Sequence, residues 1–229
     1  MPSTSDTGGN EQVPNAWSCN RARWFLETLY AGLTRVDSVQ PVDLIFVMAG
    51  RMNRKQYGFE LYRQGVAPKL VLSVGRFEVS KMLSREFAFA DELAALRSAT
   101  PPNQRHFFVS LDQFGTRMEL ASVPHWNTYG EVVGLMRHLE REHVAKVMVV
   151  STDIHLRRVG YTIRKVSRDR PLEFLYCPVP ERDHLGKRGW WTSPDSRSYV
   201  LSELTKLAGY GLILSMPAWA AGRLMRLRG

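Results

Sequence analysis

The octapeptide Ser151–Arg158 reads STDIHLRR and carries six polar or charged side chains. It follows the apolar run KVMVV and precedes GYTIRKV, which reads as helix. A buried strand that ends in two hydroxyls, a carboxylate, an imidazole and two guanidinium groups points to a ligand. Ser151 and Thr152 stand where a helix begins, with unpaired N–H groups and the positive end of the dipole. Arg158 is suited to gripping phosphate oxygens through paired hydrogen bonds. His155 has the side chain that normally titrates near neutral pH and is the candidate acid or base.

Similar chemistry recurs after other apolar runs. VDLIFVMAG ends at Gly50 and is followed by Arg54; KLVLSVG ends in Ser73 and Gly75; RHFFVSL leads to Asp112 and on to Asn127 and Thr128. Gly50 and Gly75 lack a Cβ and let backbone N–H groups approach a ligand. Each residue alone has a plainer reading. Ser151, Thr152, Asn127 and Thr128 are good helix caps, the glycines suit tight turns, and a solitary histidine is more often packed than catalytic. Convergence at four strand ends favours a site.

The elements that would position these groups alternate. Strands are expected over 42–50, 69–75, 105–111, 146–152 and 172–179. Helices are expected over 16–35, 53–65, 80–98, 127–142, from about 155 and over 197–214. Continuous apolar strands indicate burial on both faces. The expected fold is therefore α/β, a Rossmann-like parallel sheet of about five strands with helices on both faces. In such sheets ligands bind outside the carboxyl ends of the strands. Residues 1–15 read as a disordered leader, 16–214 as the domain and 215–229 as a basic C-terminal tail.

The totals agree with one globular domain: 229 residues, 44% hydrophobic, net charge +9 and pI about 9.8. The charge suits an anionic small molecule. Arg223, Arg226 and Arg228 concentrate part of it in the tail, which could lie on anionic lipid. Residues 207–222 are uncharged but too few for a confident span, and Pro217 interrupts them. The expected location is cytoplasmic or membrane-peripheral. Cys19 and Cys177 form no CxxC pair, and the six histidines show no HExxH, so no metal site is assigned. GxGxxG, the P-loop, GxSxG and nucleic-acid motifs are absent, and no nucleic acid partner is expected.

The blocks LYRQGVAPKLVLSVG and STDIHLRR, with NT between them and SELTKLAGYGL after, resemble the YdcF-like family, which includes SanA and ElyC. The resemblance spans roughly residues 41–214. It implies a Rossmann-like fold, frequent association with the cell envelope, and a site at Gly50, Arg54, Ser73, Gly75, Asn127, Thr128, Ser151, Thr152, His155, Arg158 and Glu203. Two blocks depart from the family pattern. Val74 replaces a glycine, and SVPHWNTYGEV displaces the family's acidic positions, so that either Asp112, Glu119 or Glu131 supplies the carboxylate or this member has changed its chemistry. The reading is a protein that binds a phosphorylated or nucleotide-like molecule, either a transferase or hydrolase linked to envelope metabolism or a noncatalytic membrane-peripheral sensor. The cofactor stays open, with S-adenosylmethionine or another nucleotide-type ligand as candidates.

Overall fold

The structure, a computed structural model, describes residues 16–84, 87–121, 128–167, 170–180 and 189–216, with side chains from 20 onward. Asn127, the 1–15 leader and the tail from 217 lie outside the described residues. The elements are α1 (Ala16–Leu33), β1 (Leu44–Val47), α2 (Met52–Arg63), β2 (Leu70–Gly75), α3 (Arg76–Leu83), α4 (Ala90–Ala99), β3 (His106–Asp112), β4 (Gly115–Leu120), α5 (Thr128–Leu139), β5 (Lys146–Ser151), α6 (Asp153–Val166), β6 (Glu173–Pro178) and α7 (Pro194–Ser215).

The strands form one six-stranded sheet in the order β4-β3-β2-β1-β5-β6. β1 shows why the central strands are apolar throughout. Ile45 and Val47 face a layer that includes Leu61 of α2, Val79 of α3 and Leu93 of α4. Leu44 and Phe46 face Leu135 of α5 and Leu156 and Val159 of α6. Period-two alternation thus feeds two separate cores, and no residue of β1 is left for solvent. Gly58 lets α2 lie close on β1, because a Cβ there would collide with Val47 Cγ2. An outer layer joins Tyr30 and Leu33 of α1, Ile154 of α6, and Trp190 and Val200.

The sheet is mixed, which corrects the all-parallel expectation. β2, β1, β5 and β6 are parallel, whereas β3 runs antiparallel to β2, and a sixth strand, β4, runs antiparallel to β3. The cause lies in the segment expected as one helix over 80–98. It forms two helices, α3 and α4, with Phe87 and Phe89 stacked between them. One crossover helix returns a chain to the starting edge of its sheet and gives a parallel strand. A second helix undoes that return, so β3 begins at the carboxyl edge of β2. His106 therefore pairs with Gly75, and Asp112 is carried to the opposite edge.

No described helix is long and apolar enough to cross a membrane.

Candidate functional site

The order of winding reverses between the parallel strands β1 and β5: from β1 the chain moves outward to β2, and from β5 it moves the other way to β6. Crevices at such switch points are where open α/β sheets hold ligands. Here Arg54, in the first turn of α2, ties the two strand ends together. Its guanidinium donates to the Ala49 carbonyl after β1 and to Thr152 Oγ1 after β5, the latter at 3.1 Å. Gly50 is required beside it. Its φ of 137° disfavours an L side chain, and a Cβ would sit 2.5 Å from Arg54 Nη1. Arg54 is buried, its Nε finds no partner among the described residues, and burial lowers its pKa against the pull of Tyr199 and Glu131.

A cleft of about 550 Å³ opens over these strand ends. Among the residues singled out from sequence, Gly50, Gly75, Thr128, Glu131, His155 and Arg158 line it. Ser151 lies behind and supports the wall through His155: Ser151 Oγ is 2.8 Å from His155 Nδ1, and Thr128 Oγ1 is 3.3 Å from Nε2. Arg158 is held by both carboxylate oxygens of Glu203, at 3.1 and 3.2 Å, and donates to Thr128 Oγ1. Lys206 shares the same carboxylate at 2.9 Å. Glu131 accepts the Ala49 N–H at 2.6 Å, which anchors it in the cleft.

Several residues of the site were not anticipated. His106 lines the cleft, and Ser73 Oγ lies 2.8 Å from its Nε2, so each of two buried serines at strand ends steadies one imidazole. Phe77, Glu78, Lys206 and Tyr210 complete the lining, together with Arg76, which the sequence already sets directly after the KLVLSVG strand. Glu78 is paired with Lys55 at 2.8 Å, and Lys55 also donates to the Met48 carbonyl. The available signal for His106 was a polar side chain at the start of an apolar run, which counts only if that strand is antiparallel.

Other expectations are redistributed. Asp112, at the far edge, pairs with Arg117 at 3.3 Å and Lys69 at 3.9 Å and takes no part in the cleft. The antiparallel direction of β3 is the reason. Glu119 is likewise remote, bound to His138 and Arg141. The start of α6 is already served by its own Asp153, whose carboxylate accepts the Ile154 N–H at 2.7 Å and the Tyr30 hydroxyl at 2.6 Å. Arg54 lies beneath the cleft and Arg158 lines it, so the two do not face a ligand as a matched pair. Among the described residues no group of three or more His, Cys, Asp or Glu is arranged to hold a metal ion.

Burial is the main force on both imidazoles. It lowers the His155 pKa well below the ordinary value, reinforced by Arg54, Arg158 and Lys206. It lowers that of His106 as well, against the opposing pull of Glu131. Both are neutral in the folded protein at pH 7. Below about pH 6.5 the unfolded chain binds protons that these rings refuse, so stability should fall as pH drops through that point. The slope is at most about 1.4 kcal/mol per pH unit for each histidine. Urea unfolding of the wild type and His155→Gln between pH 7.5 and 5 checks this. The variant should show the shallower pH dependence.

Comparison with protein families, curated proteins and solved structures finds no match for this chain.

Proposed function

We propose that the cleft binds a phosphorylated or nucleotide-like small molecule, and that the protein transfers or hydrolyses a group on it. The observation that carries this reading is the meeting of a neutral His155, the Glu131 carboxylate and a cationic wall in one cleft at the switch point of the sheet. Arg54, Lys55, Arg76, Arg158 and Lys206 outnumber Glu78, Glu131 and Glu203 in and beneath the cleft, so an anion is favoured there. Phe77, 75% exposed, and Tyr210 offer ring faces to the base or apolar portion of the ligand. His155 takes a proton from water or an acceptor hydroxyl as that oxygen attacks, once the anionic ligand offsets the Arg54, Arg158 and Lys206 charges that add to burial in keeping its ring neutral. The proton passes to the leaving oxygen, whose charge Arg158 and Lys206 steady. A noncatalytic sensor needs no proton-transfer group, and a strongly shifted His155 in the same cleft as the Glu131 carboxylate supports the enzyme. The link to the cell envelope belongs to the same proposal and is supported by the resemblance to the YdcF-like family.

Thermal shift against nucleotides, S-adenosylmethionine, sugar nucleotides and polyprenyl phosphates tests it. A native-state ligand at a hundred times its Kd adds about 2.7 kcal/mol. For a chain of this size that raises Tm by about 5–10 °C. Lys206→Ala removes an exposed cation of the cleft and should weaken the responding ligand roughly tenfold, as loss of one charged hydrogen bond does. A panel without any shift, or a shift that a dephosphorylated analogue reproduces, overturns the assignment.

A further inference from the structure

β4 is an edge strand. Among the described residues its only strand neighbour is β3. The Ala121 N–H donates to the His106 carbonyl at 2.8 Å, which sets the parity of the strand. Residues 115, 117, 119 and 121 turn their backbone groups inward to β3, and Thr116, Met118 and Leu120 turn theirs outward. Such an edge is a template for another strand unless side chains forbid it. The charges here are ordered so that a copy of the same strand fits.

We propose that β4 is a self-association edge, on which a second copy of the chain pairs antiparallel about a twofold axis through Met118. In that register Thr116 lies opposite the partner's Leu120, and these pairs, with Met118 on itself, exchange the backbone hydrogen bonds. Arg117 lies opposite the partner's Glu119, and Glu119 opposite the partner's Arg117. These are non-hydrogen-bonded pairs, in which side chains come closest. Arg117 and Glu119 project from the same face of the sheet, toward α5, since both border the hollow that also contains His138 and Glu142. Twofold symmetry therefore makes two favourable cross-strand charge pairs from one Arg and one Glu. Moving the axis two residues along, to Thr116, would put Arg117 opposite a glycine. The symmetric charge order selects one register.

The exposed groups agree with this occupant. The Arg117 side chain is 66% exposed at the edge. Leu120 is 44% exposed, and Phe114, in the turn before β4, is 89% exposed. Pairing covers Leu120 with Thr116 of the partner subunit and brings Phe114 beside the end of the partner strand. Within one chain Arg117 already reaches Asp112 at 3.3 Å and Glu142 at 3.8 Å, and Glu119 holds His138 and Arg141, so the cross-strand pairs share these charges and add modestly to the backbone bonds. An interface of one short strand per subunit is smaller than the roughly 1,200–2,000 Å² typical of stable complexes. The dimer is accordingly weak and reversible, and it joins two copies of the sheet into one of twelve strands while leaving each cleft open. Association through β4 is independent of what the cleft binds.

Sedimentation velocity of the full chain across protein concentrations tests it. The expected result is reversible monomer–dimer exchange with a dissociation constant on the order of micromolar to hundreds of micromolar, weakened by salt because exposed pairs are screened. Arg117→Glu sets like charges opposite one another and should weaken association at least fivefold. Arg117→Ala removes the cross-strand pair without setting like charges opposite one another and should weaken association less than Arg117→Glu does. Met118→Cys places thiols at the axis and, after mild oxidation, should give a covalent dimer with its disulfide mapped to position 118. A chain that stays monomeric at the highest concentration, association indifferent to Arg117→Glu, or failure of the position-118 disulfide to form overturns the proposal.

Discussion

Glu203→Gln should destabilise the protein by about 3–5 kcal/mol, the usual cost of removing one partner from a buried ion pair. The side chains of Glu203 and Arg158 are only 6% and 9% exposed, so water does little to replace either one. Glu203 accepts from both Nε and Nη2 of Arg158 and from Lys206, three charge-assisted bonds on one carboxylate. The amide of glutamine accepts at one atom only, and it leaves a guanidinium buried beside His155 and Thr128 with its charge uncompensated. In urea the midpoint should fall, and on heating Tm should fall by about 6–20 °C. The control is the double variant Arg158→Met with Glu203→Leu. It removes both charges, and most of the lost stability should return, since buried pairs often exchange for apolar groups at little cost. A double variant as unstable as the single one would show that the packing of α6 on α7, rather than charge, carries the effect. A single variant as stable as the wild type would remove the pair from the structural account altogether.

What the sequence revealed and what it hid divide along physical lines. The four parallel strands were legible because each is buried on two faces, which leaves an unbroken apolar run. The cleft residues after β1, β2 and β5 were legible for the related reason that polarity there has no place in a core. β4 was not, since GTRMEL lies at an edge with one face partly in solvent and mixes charged with apolar residues. The direction of β3 was not legible either. HFFVSLD is as apolar as a parallel strand, and only the break between α3 and α4 decides from which edge the chain enters. That one reversal removed Asp112 from the site and supplied His106. The two arginines illustrate a different limit. Their residue type suits an anion, but the groups that already satisfy them, the Ala49 carbonyl for Arg54 and the Glu203 carboxylate for Arg158, come from distant segments or from backbone.

Lys55 is the clearest such case, and Lys55→Met should cost about 3–5 kcal/mol although its sequence context, NRKQYG, is that of a solvated helix face. In the fold Lys55 has no exposed surface. α2 directs its ammonium under the cleft, where Nζ meets Glu78 Oε2 at 2.8 Å and the Met48 carbonyl at 3.1 Å. Burial lowers the pKa of the lysine while Glu78 supports its charge; burial raises that of Glu78 while Lys55 opposes the rise. Each ion is thus tolerated because of the other. Methionine fills nearly the same volume and removes the charge with little cavity, so the measured loss reports the unpaired Glu78 and the unmet Met48 carbonyl. Adding Glu78→Gln should then recover part of the stability, because the group left in the cleft is no longer an ion. Urea unfolding of the two single variants and the double variant closes the cycle. Additive losses would refute the coupling. A coupling of about 2 kcal/mol or more would establish that the floor of the cleft is an ion pair joining α2 to the start of α3.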